Sequence, residues 1–413
     1  MQFILILIYF ASTIDIANAI QIENIRLSGL LWIGVSYFIL LRILLHPIIN
    51  ITKQLRRNAW LLVAMIYYGI RTFDSQNFLY AAVDMQSLIL PIMICLLAYD
   101  SINYPDDSNQ IEAAIVKSIF VSIGLLGIGT ITGLSTFVEG IGQKGFIGAR
   151  SISLYGITVL SVTLSILAYD KLGVSKKRLV LAASISCFLS ILLTLSRTAL
   201  LSSFVMIIIV GVLTMDKKKF VWSLAVLVFI TTFAVQWGPM AERLKPKEAE
   251  TFEEAAQSGE FTSGRAILWA FVFQEGMEHR YSGWGTGNVK VLIEKDMRSS
   301  GILPHNEYLR FFYDGGITGL VILSMIIFAR IRYHLNRWRS AVRNEDFLLA
   351  KWNLAAVLAT TAMATSAFFD NVFLYQFMLC IVFTIYGVAD KLCDLIDAAQ
   401  NTQSHFEASE EMT

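Results

Sequence analysis

Apolar stretches of eighteen residues or more recur along this chain, separated by short polar breaks, and that repetition constrains the fold more than any other feature. Each stretch is long enough to cross a hydrocarbon core of roughly 30 Å. Inside such a core the backbone must satisfy its own hydrogen bonds, and a continuous apolar run of this length does so as a helix. The pattern predicts an all-α integral membrane protein of about twelve transmembrane helices, at 3–20, 27–47, 59–73, 78–99, 113–134, 151–169, 179–196, 198–215, 220–237, 308–329, 350–369 and 371–389. The third is short. Ala17-Asn18-Ala19 looks like a signal-peptide cleavage site, but no basic region precedes the first stretch, so it reads as a retained span. The composition agrees with a bilayer protein, at 55% hydrophobic and 16% charged.

Lys and Arg in the short connections set the orientation. Lys53, Arg56 and Arg57, then Lys171, Lys176, Lys177 and Arg178, then Lys217, Lys218 and Lys219, then Arg330, Arg332, Arg337, Arg339 and Arg343 all fall on one side, read as cytoplasmic. The connection 100–112 shares that side but is acidic. Both termini are then inside. The polar segment Gly238–Pro304 lies outside, between spans nine and ten. The chain thus divides into spans one to nine (1–237), the outer loop (238–304), spans ten to twelve (305–390) and a cytoplasmic tail (391–413), polar and disordered after Ala398. A net charge of +1 and basic clusters explained by topology give no reason to expect nucleic acid as a partner. Cys95, Cys187, Cys380 and Cys393 lie in or beside spans, so no disulfide framework is expected in the outer loop.

Four residues stand out on the outer face: Arg150 before span six, Arg197 in the tight Ser196-Arg197-Thr198 break, Arg265 ahead of Trp269 and Phe273, and His305 at the mouth of span ten. Arginine keeps its charge when half-buried and grips phosphate oxygens through a planar fork. A histidine titrates near neutrality and suits proton transfer. Together they would suit a lipid-linked diphosphate and a hydroxyl to be activated. Singly, each has a plainer reading. Arg150 and Arg197 are the kind of residue that snorkels at a span end. Arg265 is an ordinary surface charge. His305 and Asn306 are helix caps. His279, the other outer histidine, reads as solvated. His46, His334 and His405 fall on the inner side. The outer acids Glu248, Glu250, Glu253, Glu254 and Glu260 read as one solvated helix face.

Ser196-Arg197-Thr198-Ala199, Gly264-Arg265 with Trp269, Gly283-Trp284-Gly285-Thr286-Gly287, and His305-Asn306-Glu307-Tyr308-Leu309 followed by Asp314-Gly315-Gly316 and Gly319-Leu320 occur in that order. In these motifs the chain resembles the O-antigen ligase-like superfamily of bacterial envelope glycosyltransferases, best over about 180–330. The resemblance implies a GT-C-like membrane fold whose outer loop forms a helical cap. It implies a polyprenyl-diphosphate-linked glycan as donor, a glycan or lipid A-core as acceptor, and no metal or nucleotide cofactor. His305 would be the general base. Arg150, Arg197 and Arg265 would hold the diphosphate, with Asn306 and Asp314 in support. The glycines of 283–287 read as turn residues, since no βαβ unit surrounds them.

The Ser-Gly-Arg…Trp and Gly-Trp-Gly-Thr-Gly pieces look like those of O-antigen and exopolysaccharide polymerases, which favours polymerase over ligase and a glycan chain-length regulator as a possible partner. The rival from another class is a flippase or other transporter. It would draw on intramembrane charge, chiefly Asp84, for proton coupling.

Overall fold

The computed structural model describes residues 1–14, 21–22, 25–46, 48, 51–138, 142–145, 149–169, 173–214, 265–296 and 303–410, with scattered positions between 221 and 236. Ala17-Asn18-Ala19, most of span nine, the acidic stretch of the outer loop and the lysines at 171 and 217–219 lie outside the described residues.

Among the described residues the chain is helical apart from two short antiparallel hairpins, β1–β2 (Gln21–Ile22 with Ile25–Arg26) and β3–β4 (Ser135–Val138 with Gly142–Gly145). The helices are α1 Gln2–Ile14, α2 Leu27–Leu45, α3 Ile51–Arg57, α4 Ala59–Arg71, α5 Phe78–Asp100, α6 Asp107–Ile131, α7 Ala149–Tyr169, α8 Val174–Leu193 and α9 Arg197–Thr214. After the gap come α10 Arg265–Glu278, α11 Asn288–Asp296, α12 Glu307–Arg343, α13 Phe347–Ala367 and α14 Gln376–Glu410.

Seven of the described helices are long and apolar enough to cross a membrane: α2, α5, α6, α7, α9, α12 and α13. At 13 residues, α1 and α4 are too short by the same measure. The seven differ in what surrounds them. In α7 89% of the apolar window is buried and in α13 78%, against 17% in α2. The first two are therefore inner helices, and α2 presents its flank to the surroundings. α13 lies against α7, α9 and α12, and α14 against α5. Its sequence explains the central place of α13: Ala355, Ala356, Ala359, Ala362 and Ala367 let backbones approach closely. The buried hydroxyls of α7 turn back on their own helix, Thr158 to the Tyr155 carbonyl and Ser161 to the Thr158 carbonyl, so they need no partner elsewhere.

Two sequence expectations are revised. The arginines at 330–343 do not lie in a loop: beyond the break at Gly316, α12 runs on from Ile317 to Arg343, about 40 Å at 1.5 Å per residue, still beyond a bilayer core. It continues because Arg330 and Arg337, one heptad apart, pair with Asp390 and Asp397 of α14. Likewise α14 is helical to Glu410 rather than disordered after Ala398, extending a helix whose first half is packed in the core.

Candidate active site

The end of the bundle that matters is fixed by three contacts. The Tyr169 ring at the close of α7 stacks on Phe347 at the start of α13, so these helices run antiparallel. Gly156 near the start of α7 lies against Ser190 near the close of α8. Hence the start of α7, the close of α8, the start of α9 and the close of α13 share one end. Arg150 heads α7 there, although its side chain lies outside the described residues. Arg197 opens α9 there, half-buried. It follows a turn in which Leu195 is left-handed (φ +48°), Ser196 N–H returns to the Ile191 carbonyl and Ser196 Oγ accepts from Ala199 N–H. Ser202, one and a half turns on, meets Ser366 near the close of α13 at 3.1 Å.

His305 joins that end through Asp370. Nδ1 lies 3.0 Å from Asp370 Oδ1, with 22% of the His305 side chain exposed and 5% of Asp370. The same oxygen accepts from the Tyr375 hydroxyl at 2.6 Å and from the Asn371 N–H at 3.1 Å. Asp370 sits in the turn after α13, ahead of a short 3₁₀ helix, Val372–Leu374. With a carboxylate as acceptor, Nδ1 carries the hydrogen and the lone pair is left on Nε2. A carboxylate behind a histidine fixes ring and tautomer and stabilises the imidazolium that forms on proton uptake.

Helix α10 brings Arg265 to the same turn. Its Nη1 donates to the Phe369 carbonyl at 2.5 Å, one residue before Asp370. One turn further on, the Trp269 ring lies 6.4 Å from that of Phe369 while its Nε1–H donates to the Pro304 carbonyl at 2.6 Å. The structure thus brings Arg265 and His305 to adjoining residues and places the helices bearing Arg150 and Arg197 at the same end.

Other sequence candidates have local duties. Asn306 caps α12, its side chain accepting from Leu309 N–H at 3.0 Å. Asp314, two turns down α12 and buried, accepts from the N–H groups of Gly287 and Val289 and so caps α11. His279 sits past the far end of α10, about 20 Å along the helix axis from Arg265, against Trp284 at 4.0 Å. His334 is fully buried beside Asn353. Asp84, the residue that would favour transport, is buried on Arg310 of α12 at 2.8 Å, and Arg310 also binds Glu307.

Sequence reasoning missed Asp370 and Tyr375. One signal was present: residue 370 is the only position left between spans eleven and twelve as read from hydropathy, and it is an acid. Nothing in the sequence linked it to His305, 65 residues away.

Residues 182–324 match the family model for O-antigen ligase, which bears out the resemblance carried by the short motifs. The matched segment holds Arg197, Arg265 and His305, while Arg150 and Asp370 lie on either side of it. No curated protein matches the chain.

Proposed function

We propose that this chain is a glycosyltransferase of the O-antigen ligase and polymerase type, multi-pass in the bacterial inner membrane. In this reading it transfers an oligosaccharide from a polyprenyl diphosphate to an acceptor hydroxyl on the extracytoplasmic face. The observation that carries it is the His305–Asp370 pair, with Arg265 bound to the carbonyl next to Asp370.

The chemistry follows from those groups. The acceptor oxygen attacks the anomeric carbon and its proton passes to His305 Nε2. The bond from that carbon to the diphosphate oxygen breaks, and the leaving diphosphate carries the bonding pair away. A single displacement inverts the anomeric centre. Base catalysis is worth about 10²–10⁴-fold. Arg265, with Arg150 and Arg197 from the same end, offsets the charge that builds on the leaving group. Two N–H donors in one plane match two phosphate oxygens, which a lysine cannot do.

The acceptor of choice is the end of another lipid-linked repeat unit, which makes the product a polymer of O-antigen or exopolysaccharide. Transfer to lipid A-core is the alternative within the same chemistry.

The test uses purified enzyme in lipid nanodiscs and a polyprenyl-diphosphate-linked oligosaccharide. His305→Gln is expected to bind donor and transfer nothing, since an amide cannot take the proton. Arg265→Lys and Arg197→Lys are expected to lose most activity with donor binding weakened. Transfer near the wild-type rate by His305→Gln would overturn the base assignment. A product ladder from donor alone marks a polymerase; product only on added lipid A-core marks a ligase.

A further inference from the structure

We propose that Trp269 is a positioning residue for His305, an inference that rests on the reading of His305 as the base. His305 holds a left-handed backbone (φ +49°), which a side chain with a Cβ adopts only when its surroundings impose it. The peptide that must be fixed for this to happen joins Pro304 to His305. Proline supplies a rigid ring on one side of it, and the Asn306 cap holds the residue after it. The remaining handle is the Pro304 carbonyl, and the Trp269 indole N–H holds it at 2.6 Å. Rotation of that peptide would swing the imidazole away from Asp370.

The rest of α10 supports the same role. Trp269 lies one turn from Arg265, which holds the Phe369 carbonyl. The Trp269 ring also faces that of Phe369. One rigid helix therefore grips both partners of the pair: the peptide before His305 through an indole N–H, and the peptide before Asp370 through a guanidinium. Leu268 and Val272 are buried with Phe312 and Tyr313 of α12, so α10 is itself seated on the helix that His305 precedes. Trp269 has no part in the chemistry; it keeps Nδ1 on Asp370 and Nε2 aimed at the acceptor.

Among the described residues, the charged and titratable groups on the elements that meet here include Asp370 and Tyr375 from the turn after α13, Arg265 from α10, Arg197 at the start of α9 and Glu307 from the first turn of α12. Asp370 lies in contact at 3.0 Å, and a carboxylate hydrogen-bonded to an imidazole favours the protonated ring. When Nδ1 leaves Asp370 that preference drops, so the pH below which the base is blocked also drops.

Trp269→Phe keeps a ring and removes the N–H. Its kcat is expected to fall about 10-fold or more, since base geometry governs proton transfer. KM for donor should stay within about two-fold, because the diphosphate contacts are untouched. The acid limb of the kcat–pH profile should move down by about one unit. The position of that limb does not depend on how much protein is folded, so a loss of yield cannot imitate it. Trp269→His, which retains a ring N–H, should restore part of the rate and move the limb back. A wild-type kcat in Trp269→Phe, or a reduced kcat with an unmoved acid limb, overturns the proposal. His305→Gln assayed in parallel separates the two ideas: activity there removes His305 as the base, whereas an inactive His305→Gln beside a normal Trp269→Phe removes only Trp269.

Discussion

Among the described residues, Oδ1 of Asp370 takes hydrogen bonds from His305, Tyr375 and the Asn371 backbone, and in the proposed mechanism those bonds have different parts. The bond from His305 couples a negative charge to an imidazole that becomes positive on proton uptake. Asp370→Asn removes the charge while keeping the shape. We expect its kcat to fall about 10²-fold, with donor affinity within a few-fold of wild type, as measured by single-turnover rates and equilibrium binding. The bond from Tyr375 only orients the carboxylate. Tyr375→Phe gives up one neutral donor, worth about 1 kcal/mol, and should cost about five-fold in kcat. Equal effects from the two variants would mean that Asp370 acts as a scaffold and not through its charge. At this scale the sequence was informative about residue type and silent about partners. Pro304-His305-Asn306 ahead of an apolar run marked a histidine worth testing. Whether its Nδ1 would meet a carboxylate depended on where a second polar break came to rest.

Among the elements, the 283–287 loop shows how glycine placement fixes one segment against its neighbours. Gly283 has φ +72° and sits against the Asp314–Gly315 backbone; Gly287 has φ +78° and sits against Tyr80 and Ala81 of α5. Trp284 between them stacks on Tyr313 of α12. Gly316 breaks the helical geometry of α12 (φ +64°, ψ −161°) where Tyr281 and Ser282 pack on it. These glycines read as turn residues from sequence, and they are, but the sequence did not show that the turn locks the segment between α10 and α11 onto α5 and α12. Gly283→Ala pays for a left-handed alanine, about 1–2 kcal/mol, and also drives a methyl into backbone. Its melting temperature in detergent should fall by several degrees. Gly173→Ala is the control, since that residue has an ordinary φ of −62° and open space around its α-carbon. If both variants melted like wild type, the loop would not be a structural lock.

For the whole molecule, the end opposite His305 is tied together by charge. Arg330 is buried between Asp390 and Asn58, and Arg57 and Lys53 of α3 grip Asp394. Removing one partner of a buried pair leaves the other uncompensated, at about 3–5 kcal/mol. Arg330→Met should therefore be strongly destabilised, and Arg330→Met with Asp390→Leu should recover most of the loss in a thermal melt. Asp394 is opposed by partial burial, yet the hydrogen bonds from Arg57 and Lys53 win and hold its carboxyl below the usual range. A lowered folded value stabilises the protein above the unfolded value near 4 and is lost as pH falls through the folded one. The melting temperatures of wild type and Asp394→Asn should differ at pH 6 and converge as the pH drops below about 4. A constant gap would mean the carboxylate charge is not what stabilises. Topology belongs to this scale too. If the proposed orientation holds, with 238–304 outside as the alternation of basic connections suggests, cysteines placed at Ser258 and Ser299 should react with a membrane-impermeant thiol reagent in intact spheroplasts. Labelling only after lysis would reverse the orientation.

Hydropathy alone pointed to a helical membrane protein, because backbone polarity in hydrocarbon leaves only helices or closed barrels, and continuous apolar runs, visible one segment at a time, mark helices and not the alternating strands of a barrel. The sequence also exposed Arg197 and His305, since ionisable residues at the mouths of apolar spans stand out against their neighbours, and Arg265 through the Gly264-Arg265 motif ahead of Trp269. Their shared end of the bundle, the Asp370 carboxylate behind His305 and the indole on Pro304 were decided by tertiary structure alone. Each depends on helices distant in sequence meeting side by side, and the contacts that choose those neighbours are made by small and apolar residues that look alike along the chain: Gly156 against Ser190, Ser202 against Ser366, the alanine face of α13. Close packing selects one arrangement from many compatible with the same hydropathy, and the charges of the site follow wherever that packing takes them.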